Sequence, residues 1–433
     1  MASKAKKPRK ANGYKMPPPI PAGFSVKNSR EKNKSWKLGT SIGKGGFGEI
    51  YCCSAVEEGS TSKSKVNQTY VMKIEPQENG PLFVEMHFYM KAAKKEDIEG
   101  WMKSKGLKRL GMPCYVDSGT FEYNKERFRY IVMDRYGQDL WSIFLENKKL
   151  FPCSTVLQIG LQVIDVLEYM HDKGYAHCDV KGANLLLDTQ DQVYLVDFGL
   201  ASRLSTDFKP DPKRAHDGTI EYTSRDAHTG VRTRRGDLEV LGYNLLHWTT
   251  SALPWENITD PKVVEEKKKS ILSSGASSVK KSLPSTPPVI VNFLDYVSKL
   301  KPEQIPDYNH CRKLFKDELK KLGASVSGKF VFSTAEKKTP KKAAAKPTKV
   351  TTRRGRKENV EVNANSASQD EEEDEELVEG TPEEPKKRSR AVKAKTAPKA
   401  SWKDSATAKA SNVVKAGEYV SINPKPTRKR RNE

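Results

Sequence analysis

Residues 174–201 read GYAHCDVKGANLLLDTQDQVYLVDFGLA. The second half is a short hairpin: an apolar run at Leu185, Leu186 and Leu187, a polar turn, and the return Val193 to Val196, which ends on Asp197. The first half is a loop that presents Asp179 and, five residues later, Asn184. A loop followed by a two-stranded return carries the second Asp back towards the first. Three oxygen-bearing side chains then surround one point.

That set suits phosphoryl transfer, in which one carboxylate orients a hydroxyl while Asn and Asp oxygens hold Mg²⁺ against phosphates. Upstream, "GKGGFG" at 43–48 lies between alternating apolar residues and reads as two strands joined by a tight turn. Alone it fits any hairpin. Lys73, however, sits inside the apolar strand "YVMKI", where an unpaired ammonium is costly. It needs an anion, and Glu85 on the next segment is the candidate.

The surrounding pattern is sheet first and helix later. The polar stretch 57–68 is a long hairpin loop before the strand "TYVMKIE", and "PLFVEMHFYMKAAKK" has helical spacing at Leu82, Met86, Tyr89 and Met90. "GTFEYN" and "RFRYIVMDRYG" complete a sheet-rich unit ending near residue 137. Ser154 is the expected cap of a helix whose Val156, Ile159, Val163, Leu167 and Met170 share one face. Further helices are predicted over "RRGDLEVLGYNLLHWTT", "PVIVNFLDYVSKL" and "YNHCRKLFKDELKKLG". The fold class is α+β.

Gly43, Gly45, Gly48, Lys73, Glu85, Asp179, Asn184 and Asp197 resemble the protein-kinase signature in order and spacing. The resemblance implies a bilobal fold with a sheet-rich N-lobe and a helical C-lobe, and use of ATP and Mg²⁺. It implies that Gly43, Lys44, Gly45, Gly46, Phe47 and Gly48 cover the ATP phosphates, with Ile42 and Ile50 also binding the nucleotide. Lys73 would contact those phosphates, with Glu85 fixing it, and Met133, Asp134 and Tyr136 would form the hinge against adenine. Asp179 would accept the substrate proton, and Asn184 and Asp197 would hold Mg²⁺. Lys181 resembles the lysine of Ser/Thr kinases that steadies the transferring group, which makes Ser or Thr the implied acceptor. The Thr219 hydroxyl is expected close to Asp179 and Lys181.

The stretches 216–243, "LPWE" at 253–256 and "PDYNHCRKLF" at 306–315 resemble the casein-kinase-1 group. "NGPLFVEMHFYMKAA", "DPKRAHDGT" and "DQVYLVDFGLA" look like the vaccinia-related kinases, which include nucleosomal histone kinases. The likeness covers about 36–322. Where most kinases have Ala-Pro-Glu, Ser224-Arg225-Asp226 stands here, and Asp226 is expected to pair with Arg312. Asp237 is expected to support the catalytic loop's backbone. Arg232, Arg234, Arg235, Lys209, Lys213 and Arg214 suggest an anion-binding face, or else a solvated patch. Cys178 stands where arginine usually precedes the catalytic Asp and binds an activation-loop phosphate. Its presence implies activity without that phosphorylation, and nothing in the sequence lowers its pKa towards a redox role.

The formal net charge is +22 over 433 residues. Residues 333–433 hold 25 Lys and Arg against 16 Asp and Glu, so both the body and the tail are basic. This suggests nucleic acid or chromatin as partner, mere solubility being the alternative. Residues 1–35 read as a basic flexible arm, 36–322 as the kinase domain, and 323–433 as a disordered charged tail with import-like basic clusters at "KKTPKK", "KKRSR" and "RKRR". Six cysteines show neither metal spacing nor a disulfide framework. No signal peptide or apolar span is visible. A nuclear, chromatin-associated, monomeric Ser/Thr kinase acting on histones and on DNA-bridging nuclear-envelope proteins, with no membrane partner, is the expectation. A pseudokinase scaffold that binds chromatin is the other reading.

Overall fold

The computed structural model describes residues 14–45, 47–57, 68–273, 276–333 and 413–414. The sheet-rich lobe contains β1 (Ser25–Lys27), β2 (Lys34–Lys44), β3 (Glu49–Glu57), β4 (Tyr70–Pro76), α1 (Pro81–Ala92), α2 (Lys95–Lys105), β5 (Asp117–Tyr123) and β6 (Glu126–Asp134). Its strands form one antiparallel sheet in the order β1-β2-β3-β4-β6-β5. Strand alternation divides the sheet into two apolar faces. Cys53, Met72, Ile74 and Val132 face one core with Trp36 and Tyr130. Cys52, Val71, Ile131 and Met133 face the other, which is continuous with α1 and the helical lobe.

The arm expected over 1–35 is shorter than the sequence suggested. Ile20 and Val26 are buried, β1 pairs with β2, and the Ile20 amide donates to the Tyr51 hydroxyl at 3.1 Å. Isolated apolar residues among Pro and Lys gave no period to read. The helix face of α1 also differs: Phe88 is buried and Met90 lies 37% exposed. Most of the loop expected at 57–68, Gly46 and most of the basic tail lie outside the described residues.

The helical lobe follows with α3 (Leu140–Glu146), α4 (Cys153–Asp172), β7 (Tyr175–Ala176), β8 (Leu185–Leu187), β9 (Val193–Leu195), β10 (Ser202–Arg203) and β11 (Gly218–Thr219). It continues through α5 (Arg225–His228), α6 (Arg234–Thr250), α7 (Pro261–Ser273), α8 (Ala276–Ser282), α9 (Pro288–Lys299) and α10 (Tyr308–Lys321). α4 is buried on nearly every side because α6 and α10 both pack against it. Ser154 does not cap it: Pro152 takes the cap position and no side chain closes the end. Ser224, Thr233 and Asp307 do cap α5, α6 and α10. The lobe also extends past residue 322. The Val331 amide donates to Thr155 Oγ1 at 3.1 Å, and Phe332 packs on Phe151. No helix among the described residues is long and apolar enough to cross a membrane.

Candidate active site

β8 and β9 pair with Leu185 opposite Leu195, and the Val196 amide donates to the Asn184 carbonyl at 2.9 Å. This hairpin carries Asp197 back over the loop. Across the cleft, Lys73 lies on β4 between Ile50 and Ile131. Its Nζ donates to Glu85 Oε2 at 2.7 Å and to Asp197 Oδ1 at 3.0 Å. Burial alone would favour neutral Lys73, yet Asp197, Glu85 and Glu75 hold its pKa well above the usual lysine value. Burial likewise pulls the Asp197 carboxyl up, but Lys73 and Lys181 bring it down to about 2. The two groups are charged together.

α1 is held inward by apolar contact. Phe88 stacks on Phe198 with centroids 4.2 Å apart, and His177 meets the same ring at 5.2 Å. Glu85 can therefore reach Lys73. Beneath the glycine turn, a Cβ on Gly48 would lie 2.2 Å from the Ile74 carbonyl oxygen, so only glycine fits there. The neighbouring Glu75 is fully buried. Its Oε2 accepts from the Leu82 amide at 3.1 Å, and burial pushes its carboxyl up to about 7.

The catalytic-type loop is fixed from both sides. Asp179 Oδ2 accepts from Lys181 Nζ at 2.7 Å and from Asn184 Nδ2 at 3.2 Å. Its Oδ1 accepts from the Thr219 amide at 3.1 Å and hydroxyl at 2.9 Å. Lys181 also donates to Thr219 Oγ1 at 2.8 Å. From below, Asp237 accepts the amides of His177 at 2.7 Å and Cys178 at 2.9 Å. His171 donates to Asp237 from Nε2 at 3.0 Å, while the Tyr308 hydroxyl reaches its Nδ1 at 2.7 Å. Asn244 Nδ2 adds a bond to the Val180 carbonyl at 2.9 Å. His171, Asn244 and Tyr308 escaped the sequence reading. They lie on three different helices, and only the fold brings them to this loop.

Between the lobes lies a cleft of about 870 Å³. Ile42, Gly43, Lys44, Gly45, Ile50, Lys73, Glu85, Met133, Asp134, Tyr136, Asn184 and Asp197 line it. Phe47 and Gly48 do not, and Phe47 instead packs edge-on against Tyr14 at 4.8 Å. Val71, Arg135, Ala183, Leu186 and Val196 complete the wall, and all but Arg135, which falls within the expected hinge, were missed. Val71 was legible, since it stands two residues before Lys73 on the same strand face. Asp179, Lys181 and Thr219 gather at the loop beside this cleft.

The acceptor side departs from expectation. Asp226 does not pair with Arg312. Arg235 grips it in bidentate fashion at 2.8 and 2.6 Å, with Thr233 at 2.6 Å. Arg312 on α10 instead faces α4, where it binds Asp165 at 2.7 Å and Glu168. A partner nine residues along the chain captured Asp226 before a distant one could. Arg225 pairs with Glu239 at 3.0 Å. The proposed basic face is also reduced, because Arg232 is only 3% exposed and pairs with Asp217 at 2.7 Å. Lys209, Lys213 and Arg214 remain exposed.

Residues 36–314 match the family described as protein kinase domain. Over 335 residues the chain is 48% identical to Nucleosomal histone kinase 1 of Drosophila melanogaster, covering 75% of this chain and 54% of that protein. It is 42% identical to Serine/threonine-protein kinase VRK2 of Homo sapiens, over 71% of this chain and 61% of that one. It is also 34% identical to the B1 kinase of Vaccinia virus (strain Western Reserve), over 64% of this chain and 93% of the viral protein. This chain belongs to the vaccinia-related family of protein serine/threonine kinases. The fold of this vaccinia-related kinase is shared with a solved structure titled "Structure of vaccinia related kinase 3", at TM-score 0.62 and 24% identity, covering 72% and 95% of the two chains. The chain spans only a little over half the length of its first two curated relatives.

Proposed function

We propose that this vaccinia-related kinase transfers the γ-phosphate of ATP to Ser or Thr of chromatin proteins, histones above all, in the nucleus. The observation that carries the chemistry is the closed set Asp179, Lys181, Asn184 and Thr219, facing Lys73 paired with Glu85 across one cleft.

The residues present fit the family's nucleotide and metal. The cleft has apolar walls of Ile42, Val71, Met133 and Leu186 with a few polar groups among them, Lys73 puts a cation at its inner wall, and Gly48 lets the backbone turn lie close. Asn184 donates from Nδ2 to Asp179, so its Oδ1 and the Asp197 carboxylate are the oxygen ligands suited to Mg²⁺. When bound, Mg·ATP supplies the transferable phosphoryl group and the neutralising divalent charge. Asp179, held between Lys181 and the Thr219 amide, orients the acceptor hydroxyl and takes its proton, a role worth roughly 10²–10⁴ in rate. Lys181 bridges Asp179 and the acceptor segment, which places a positive charge where the new ester bond forms. Asp237 and Asn244 hold the loop's backbone so that none of these groups must reorganise.

The chromatin substrate rests on the similarity to a protein named for nucleosomal histones and on the net charge of +22, which favours anionic surfaces such as DNA. Nuclear localisation, DNA or nucleosome contact and a monomeric state belong to the same reading, as do DNA-bridging nuclear-envelope substrates. Purified protein with Mg·ATP should label histones or nucleosomes, and Asp179→Asn should abolish labelling. Unchanged phosphate incorporation by that variant would overturn the assignment.

A further inference from the structure

A second group of functional side chains stands outside the cleft, three residues before Thr219. His216 occupies left-handed backbone at φ 63°, a conformation that costs a non-glycine residue free energy and persists only where its surroundings fix it. Its amide donates to the Ala227 carbonyl at 3.1 Å. Its ring meets that of His228, at the end of α5, with Nδ1 2.8 Å from Nδ1. Glu265 on α7 is the third member, and one ligand atom from each residue lies within 4.8 Å of the others.

Two imidazoles that meet Nδ1 to Nδ1 share one hydrogen bond at most. Lys268 Nζ lies 3.4 Å from the other ring nitrogen, His228 Nε2, which leaves Nδ1 as the atom facing His216. Replacing the shared proton by a cation satisfies both nitrogens at once.

We propose that His216 Nδ1, His228 Nδ1 and a Glu265 carboxylate oxygen form a divalent transition-metal site of the zinc class, with water in the fourth position. Two imidazoles and one carboxylate are the nitrogen and oxygen donors that Zn²⁺ accepts, whereas Mg²⁺ and Ca²⁺ prefer oxygen alone. Zinc–nitrogen bonds of about 2.0–2.1 Å require the two rings to part by only about half an ångström. Glu265 must turn from Lys269, which it now binds at 2.5 Å. Lys268 and Lys269 oppose a further cation, so the metal binds more weakly than at a four-thiolate site and exchanges with its surroundings. Bound there, it ties the segment entering Gly218–Thr219 to α5 and α7, and acts on the acceptor side of the reaction.

The test uses the full chain, freed of metal with a chelator and titrated without nucleotide. Calorimetry with Zn²⁺ should give one equivalent, and Co²⁺ should show the visible absorption of a four-coordinate site that Zn²⁺ then displaces. His216→Ala and Glu265→Gln should each weaken binding by at least about tenfold, while their thermal unfolding in chelator matches that of the unaltered protein. Asp197→Asn, which alters the oxygen ligands of the cleft, should keep the site. Absence of stoichiometric binding, or equal binding by both site variants, would overturn the proposal.

Discussion

The catalytic-type loop has two flanks, and they are built differently. On the nucleotide side, Lys73, Glu85 and Asp197 come from three separate elements and meet in one ion cluster. On the acceptor side, charge is settled over short sequence distances. Arg232 takes Asp217, Arg235 takes Asp226 and Arg225 takes Glu239. Cofactor chemistry dictates the first arrangement, so few residue types can serve. The second has only to hold the segment around Thr219 in place, and any nearby arginine that reaches a carboxylate suffices.

The largest test of this contrast is Lys73→Ala, which removes the cation paired with Glu85 and Asp197 and leaves Glu85 buried without it. Steady-state phosphorylation should fall at least about 100-fold. Arg232→Ala strikes the other flank, exposing Asp217 as a partly buried carboxylate without its partner. Chemical denaturation should show a loss of about 2–4 kcal/mol. The KM for protein substrate should rise while that for ATP stays put. If both constants rose together, the two flanks would not be separable. Phosphatase treatment of the unaltered enzyme should leave its activity in place, because Arg232 already neutralises the segment with a carboxylate of the chain itself.

Glu75 gives a smaller, pH-dependent effect. Its folded pKa of about 7 lies above the ordinary carboxyl value, so the folded state binds more protons than the unfolded one between about 4.5 and 7. Its contribution to stability is therefore full below that window and lost as pH rises through 7. Glu75→Gln should flatten this fall and leave the protein more stable at pH 8 by up to about 3 kcal/mol, read from denaturation curves at pH 5 and 8. A double-mutant cycle on Asp226 and Arg312 should show the smallest effect, coupling below about 0.5 kcal/mol. The Asp226 and Arg235 cycle should exceed it, and the reverse order would restore the bridge expected from sequence.

Residues whose chemistry forbids alternatives were legible. Lys73 in an apolar strand demanded Glu85, and the spacing of Asp179, Asn184 and Asp197 demanded one site. Asp237 was also read correctly as the loop's support, since it accepts two of the loop's amides. What escaped was long-range and degenerate. Ile20 and Val26 form part of the sheet lobe's core although no periodicity marks them. α2 is mostly charged and has almost no buried face, so it gave no amphipathic signal. Arg232 looked like a surface cation because sequence cannot say which of several arginines points inward.

Cys178 sits at φ 70°, a backbone region that favours glycine. Its side chain lines the same small cavity as that of Arg232, where two guanidinium nitrogens of Arg232 have no hydrogen-bond partner among the described residues. This chain already buries one arginine beside that position, Arg232 just before α6. Grafting the more usual residue back, as Cys178→Arg, should crowd two like charges together and lower the melting temperature, whereas Cys178→Gly should relieve the backbone and raise it.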